Sequence, residues 1–428
     1  MLPLLLAFAA APHAPASSLD AERRLLVGNA FAARTGKADL AACEKALAAI
    51  RAGVGEWHPR HAHGLEMLAI VLEHRGAFAR SLPLRQRILL IRRRVDPDGL
   101  AYAEALDRLG SVLGELGRLE EAERHLREAL RRCEALMGSR SPETAARLNN
   151  LALVVKARGR TAEAAVLLER AYAGMAGLHV THNLALCYHD LGDYARALRR
   201  YAQAEFSYDF LRKMPDGVRE DVPWAVCLTA LGSLHHEMGD FDEADRAFSR
   251  AAEVFVGRLA RHPSRGTLLN NRAMLAKAQG KPREALKLLE EGLALEEGMR
   301  GPDSPEVAVK RHNIASVLIE LGDLDRAEKV MEQAQAARRK ADAERHPYYG
   351  NGLVELALIA EKRGHLARAL ELDEQASAVY RAASGPETFR LAASRRAEAR
   401  LYLRRGDRRQ AERRIGQALA VARLDLER

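Results

Sequence analysis

A glycine returns along this chain at near-regular steps: Gly36, Gly76, Gly117, Gly159, Gly192, Gly239, Gly280, Gly322, Gly364 and Gly406. Most intervals are 40 to 42 residues; the two that depart, 33 and 47, restore the register between them. A chain written in units of this length builds stacked modules, each contacting mainly its neighbours, and not a globule around one centre. The residues around the glycines repeat too. LGSVLGELGRLEEAERHLREAL from Leu109, LALVVKARGRTAEAAVLLERAY from Leu151 and IASVLIELGDLDRAEKVMEQAQ from Ile314 share one pattern. A large apolar residue precedes a small one, an apolar residue follows, then the glycine, then an alanine five residues on.

Each unit reads as two helices. Apolar residues spaced i, i+3, i+4, i+7 form the stripe of an amphipathic helix ahead of the glycine. The glycine ends that helix by taking the left-handed conformation. A second helix follows, with a small residue in its first turn where two backbones approach. Ala122, Ala164, Ala197, Ala244, Ala285, Ala327, Ala369 and Ala411 hold that slot; in the first two units Ala41 keeps it and Ser81 replaces it. Composition agrees: 48% apolar and 29% charged residues with 5% aromatics suit a stack of small helices rich in Ala, Leu, Glu and Arg.

The phrase SPETAARLNNLALV from Ser141 returns as SPEVAVKRHNIASV from Ser304. Serine is a good N-cap, and proline suits the first helical position because its missing N–H would be unpaired there anyway. Ser141-Pro142 and Ser304-Pro305 therefore start the first helix of their units, and Gly385-Pro386-Glu387 varies the device.

These features resemble the tetratricopeptide-repeat family. Leu109-Gly110, Gly117, Ala122 and Ala129 match its slots in the third unit, and the period, the linker GPDSPEVA and the LNNLA phrase resemble the kinesin-light-chain subtype, which is widespread in bacteria. The resemblance is strong from residue 103 to 378 and weaker at the ends. It implies an all-α, right-handed superhelical solenoid of about ten antiparallel helix pairs over residues 19–428, with degenerate capping repeats at 19–100 and 385–428.

In that family the first helix of each pair lines a concave face. The resemblance places Asn149, Asn150 and Lys156 there, followed by His182, Asn183 and His189, then Thr229 and His236. Asn270, Asn271 and Lys277 come next, then His312, Asn313 and Ser316. Asparagine recurs at one register, at 150, 183, 271 and 313. Its amide offers both a donor and an acceptor, so it suits the backbone of an extended partner; bonding to the neighbouring helix is the other use open to it. Arg396, Arg400 and Arg404 fall four apart in the last unit. They suit carboxylates or phosphates, or form a solvated face. The Lys/Asn clamp for acidic chaperone tails is missing, since Asn149 and Leu153 stand where Lys and Asn belong and Ala230 near the final Arg.

Other signals are weaker. The net charge of +9 is consistent with an acidic protein, nucleic acid or lipid and selects none of them. Cys43, Cys133, Cys187 and Cys227 lack metal or redox spacing and read as small buried residues. His58, His61 and His63 in WHPRHAH have no carboxylate or cysteine beside them in the motif and read as exposed filler, not a metal site. No phosphate loop, HExxH or GxSxG motif occurs. Residues 1–18 carry an apolar run and Ala14-Pro15-Ala16, the marks of a short secretory signal; with no cation ahead of the run, a cytosolic start is the alternative.

The expectation is a non-catalytic scaffold, without cofactor or metal, that holds an extended peptide or helix of a protein partner, an acidic one among those it suits. Nucleic acid and stable membrane insertion are not expected. A regulatory subunit that senses for a partner kinase, protease or nucleotide switch is the alternative. Oligomeric state and partner identity are not written in the sequence.

Overall fold

The computed structural model describes residues 18–33, 38–175, 177–213, 221–341, 344, 346–384 and 389–426. Among them are twenty α-helices and no strand. The chain divides into two compact units, residues 1–217 and 218–428.

The first unit holds five helix pairs. They are α1 (Ser18–Ala32) with α2 (Leu40–Val54), α3 (Pro59–His74) with α4 (Phe78–Val95), and α5 (Leu100–Glu115) with α6 (Leu119–Met137). Next come α7 (Pro142–Ala157) with α8 (Thr161–Gly174), and α9 (Leu178–Asp190) with α10 (Tyr194–Lys213). The second unit holds five more: α11 (Asp221–Met238) with α12 (Phe241–Val254), α13 (Pro263–Ala278) with α14 (Pro282–Arg300), and α15 (Pro305–Leu321) with α16 (Leu324–Lys340). Its last two pairs are α17 (Pro347–Lys362) with α18 (Leu366–Ser384), and α19 (Phe389–Arg404) with α20 (Arg408–Leu426). Odd-numbered helices are the first of each pair. The 33-residue interval has a local cause: α8 and α9 have 14 and 13 residues where α6 and α7 have 19 and 16. The following 47-residue interval restores the register, with α10 of 20 residues, α11 of 18 and seven residues of sequence between them.

Every repeat glycine among the described residues takes a positive φ, from +70° at Gly76 to +87° at Gly406, as helix termination requires. Gly36 and the Gly385-Pro386-Glu387 variant lie outside the described residues, as do residues 1–17, on which the expectation of export rests. Ser141 Oγ accepts from the Thr144 N–H (3.1 Å) and Ser304 Oγ from the Val307 N–H (3.2 Å). Histidine does the same work three times: Nδ1 of His58, His262 and His346 accepts from Arg60, Ser264 and Tyr348 N–H at 3.1 to 3.2 Å, each with proline next in sequence. His58 is thus a cap. In the same motif His61 pairs through Nδ1 with the Glu56 carbonyl (2.9 Å), and His63 lies 3.6 Å from Glu66.

The alanine slot is where the two helices of a pair close on each other. Ala122, Ala164, Ala197, Ala244, Ala285, Ala327 and Ala369 are fully buried, and Ser81 is too. Four residues further along the second helix, a large side chain packs under the small residue of the first. A Cβ on Gly110 would stand 2.6 Å from Leu126 Cγ, and one on Gly232 2.5 Å from the Phe248 ring, so only glycine admits those side chains. The first unit corrects one expectation. Ala41 is exposed, and Cys43, two residues on, is the fully buried residue of α2's first turn. All four cysteines are buried, and none forms a disulfide.

Within each unit, second helices pack on the first helix of the next pair, and first helices also touch one another, as α5 with α7, α7 with α9, and α11 with α13. This double contact brings the odd-numbered helices of a unit side by side and aligns their side chains into one face.

Candidate partner-binding face

Positions on this face are counted from the small residue of each first helix: Gly110, Ala152, Ala185, Gly232, Ala273, Ala315, Ala357 and Ala399. The four register asparagines stand at position −2. Three of them make one repeated bond. Asn150 Nδ2 donates to both carboxylate oxygens of Asp107 (3.1 and 3.0 Å), Asn183 Nδ2 to Asn149 Oδ1 (2.9 Å), and Asn313 Nδ2 to Asn270 Oδ1 (2.6 Å). Each bond runs from −2 on one first helix to −3 on the first helix before it. Asn271 departs for a local reason. The residue at −3 before it is Thr229, whose hydroxyl donates to the Ala225 carbonyl (2.7 Å). Asn271 Nδ2 donates instead to Ser233 Oγ (2.8 Å).

A second ladder joins position +4 to +1 and +5 of the next first helix. Lys156 Nζ lies 2.9 Å from Asp190, and Lys277 Nζ donates to Ser316 Oγ (3.2 Å) with Glu320 at 3.5 Å. In the last pair the charges reverse: the Glu361 carboxylate accepts from Arg400 (2.7 Å) and Arg404 (2.9 Å). Two of the three stripe arginines thereby share one glutamate that is 11% exposed. Arg396, at −3, stays exposed.

The histidines split into two kinds. His182 and His312, both at −3, have a buried Nδ1 with no hydrogen-bond partner. Burial, with His179 and Lys156 beside His182 and Arg338 beside His312, pushes each down to about 4, so both are neutral at pH 7. His189 and His236, at +4, lie against Tyr194 and Phe241 at the start of their own second helices (centroids 6.0 and 5.9 Å apart). His182 and His312 therefore present no cation there for a carboxylate at pH 7. Burial also raises the Asp107 carboxyl, against the opposing pull of Arg147 and the Asn150 bond.

The sequence placed Asn149, Asn150, Asn183, Asn270, Asn271 and Asn313 on one face; the structure engages Asn149, Asn150 and Asn183 in helix-to-helix ties within the first unit, and Asn270, Asn271 and Asn313 in ties within the second. What the sequence reading missed is the other half of each tie: Asp107, Ser233, Asp190, Glu320 and Glu361. The signal lay in the counting. Asp107 stands three before Gly110 as Asn149 stands three before Ala152. With their amide nitrogens engaged, Asn150, Asn183 and Asn313 keep a carbonyl oxygen that no group among the described residues donates to. The first-helix faces therefore present half-buried acceptors, Asn150 and Asn183 in the first unit and Asn313 in the second.

Family comparison agrees with this architecture. Tetratricopeptide-repeat models match residues 60–135, 103–177 and 180–205, and a MalT-like TPR region matches residues 219–425. No curated protein matches. Among solved structures, the apo quorum sensor NprR of B. thuringiensis is similar with a TM-score of 0.58 at 13% identity, over 81% of this chain and 97% of that one. The STAND protein PH0952 of Pyrococcus horikoshii, which has a tetratricopeptide repeat sensor, scores 0.58 at 13% identity over 95% of this chain and 63% of its own. The nearly identical TPR-like repeats of a Podosopora anserina kinesin light chain reach 25% identity and a TM-score of 0.40, over 46% of this chain and 93% of theirs. Ten helix pairs, eight of them with a buried alanine in the slot, and family models that between them run from residue 60 to 425, place this chain in the tetratricopeptide-repeat family.

Proposed function

We propose that this protein-interaction scaffold holds an extended segment of a protein partner along its first-helix face, without catalysing a reaction on it. The observation that carries the reading is the asparagine carbonyl oxygens at position −2, Asn150 and Asn183 in the first unit and Asn313 in the second, left as acceptors once the amide nitrogens tie the helices of each unit together. An extended peptide supplies N–H groups at its own regular spacing, and acceptors on a half-buried face gain from them. The ties make these acceptors rigid in advance, which lowers the ordering cost of binding. The reading favours backbone recognition over capture of an acidic tail, since Arg400 and Arg404 already share Glu361.

The test is site-directed photo-crosslinking in native lysate. A photoreactive side chain goes either at Leu153, exposed at +1 on α7, or at Val166, exposed on the second helix α8. The partner should be captured from Leu153 and not from Val166. Replacing Asn183 with alanine removes one acceptor and one tie, and should weaken the captured complex by about tenfold, on the order of 1–2 kcal/mol. Capture from Val166 alone, or binding indifferent to Asn183→Ala, would overturn the reading.

A further inference from the structure

In the second unit, α13 and α15 carry Asn271 and Asn313 at position −2, and α17 carries Glu355 there. The residue at −3 on the preceding first helix, α15, is His312. Elsewhere those two positions are tied by an asparagine amide; here neither side supplies the bond. The His312 ring is neutral, and its buried Nδ1 has no partner. Glu355 is half-buried and makes no hydrogen bond or ion pair with a described residue. Its oxygens are not among the enclosed polar atoms, so they reach the surface of the face. Burial raises its carboxyl, against the pull of Lys277. The cations of this face are committed to other groups. Lys277 Nζ donates to Ser316 Oγ (3.2 Å) with Glu320 at 3.5 Å, and Arg400 and Arg404 share Glu361. Glu355 is therefore a rigidly placed carboxylate that has lost part of its water and gained no cation.

We infer that Glu355 seats a basic side chain, lysine or arginine, of the extended segment that the second unit holds. This rests on the reading of the asparagine oxygens given above and adds the chemistry of one residue of that segment. A half-desolvated carboxylate gains most from a cation that the partner brings, because the low local polarity that penalises the lone charge strengthens the pair. An ionised carboxylate accepts and cannot donate, so it discriminates where an asparagine amide does not. A lysine or arginine satisfies it with a charge-assisted bond, whereas an acidic residue is repelled. Leu358, one turn on at +1, and Val354 beside it are half-buried and offer an apolar bed for the stem of a long basic side chain. Packed helices stand about 10 Å apart and an extended chain advances about 3.3 Å per residue, so the cation lies about three residues from the residue whose N–H meets the Asn313 oxygen.

The probe is a displayed library of fully randomised dodecapeptides, selected on the immobilised full chain at physiological salt. The enriched peptides should share one lysine or arginine. The strongest of them, labelled with fluorescein and titrated with the full chain, should lose about tenfold or more in affinity on Glu355→Gln, and as much when its basic residue is replaced by norleucine. The two changes together should cost no more than either alone, the mark of a direct pair. Glu355→Lys should turn the selection toward aspartate and glutamate. Glu355→Gln keeps the side-chain shape and removes a half-buried charge, so the melting temperature should not fall. Enriched peptides without a shared cation, a basic preference that survives Glu355→Gln, or two costs that simply add would overturn the inference. Peptides that lack the cation yet lose affinity on Asn313→Ala would overturn it and leave the asparagine reading standing. A library that yields no binder would overturn both.

Discussion

Two repeats place a charge where the third to eighth pairs bury a large apolar or aromatic side chain, and they treat it in opposite ways. In the second pair the residue is Arg85, 3% exposed. It donates through Nε and Nη2 to the two oxygens of Glu73, both at 2.8 Å, and Ser81 donates to the same carboxylate from the slot that alanine fills elsewhere. In the ninth pair the residue is Asp373, 2% exposed, with Oδ1 buried and unpartnered. Burial, reinforced by the Glu398 carboxylate, pushes Asp373 up to about 7. Position alone does not decide whether a buried charge strengthens a repeat; a partner on the facing helix does. The serine in the alanine slot thus has a reason, since its hydroxyl completes the shell around Glu73.

The contrast can be broken at three strengths. Arg85→Ala should cost about 3–5 kcal/mol in denaturant unfolding, because it strands a half-buried carboxylate. Arg85→Leu with Glu73→Leu should recover most of it by copying the other repeats. A loss below 1 kcal/mol for Arg85→Ala would show that the pair is incidental.

Asp373→Leu should instead stabilise, by about 2–4 kcal/mol above pH 7. The sign follows from linkage. A carboxyl raised in the fold favours folding in its neutral form, so its contribution is fully present below the usual carboxylate range near pH 4 and is lost as pH rises through about 7. The gain from Asp373→Leu should fade as pH falls toward 4; a gain independent of pH would sink the explanation. His182 and His312 run the other way, held neutral with values near 4. Their stabilising share is present above the ordinary histidine value near 6.5 and is lost as pH falls toward 4. The smallest effect is expected at Arg400 and Arg404, 59% and 51% exposed on Glu361. Replacing either with alanine should change stability by ~1 kcal/mol or less, and added salt should erase the difference.

Steric features were the readable ones. Glycines that end helices and alanines that admit a second backbone permit few alternatives, so they recur with the period. Hydrogen-bond partners were less readable because chemistry at −3 varies while the job stays the same: Asp107, Asn149 and Asn270 all accept. The histidine caps were hidden in a different way. His58, His262 and His346 imitate serine ahead of proline, a use in which imidazole Nδ1 accepts from backbone. Ala41 was misplaced because the count from Gly36 assumed a standard link, and the buried residue is Cys43. Arg85 and Asp373 were not legible at all as a pair, since what separates them is the facing helix.

The tie from −2 to −3 also bears on how such an array can grow by copying its own gene segments. A duplicated fourth pair would set Asn150 against Asn149, an amide against an amide, and the bond would form. A duplicated tenth pair would set Ala397 against Arg396 and Ser394 against Leu419, leaving a guanidinium with no acceptor and a leucine against a hydroxyl. The fourth segment could therefore be copied next to itself with its tie intact, whereas a copy of the tenth beside itself would lose it.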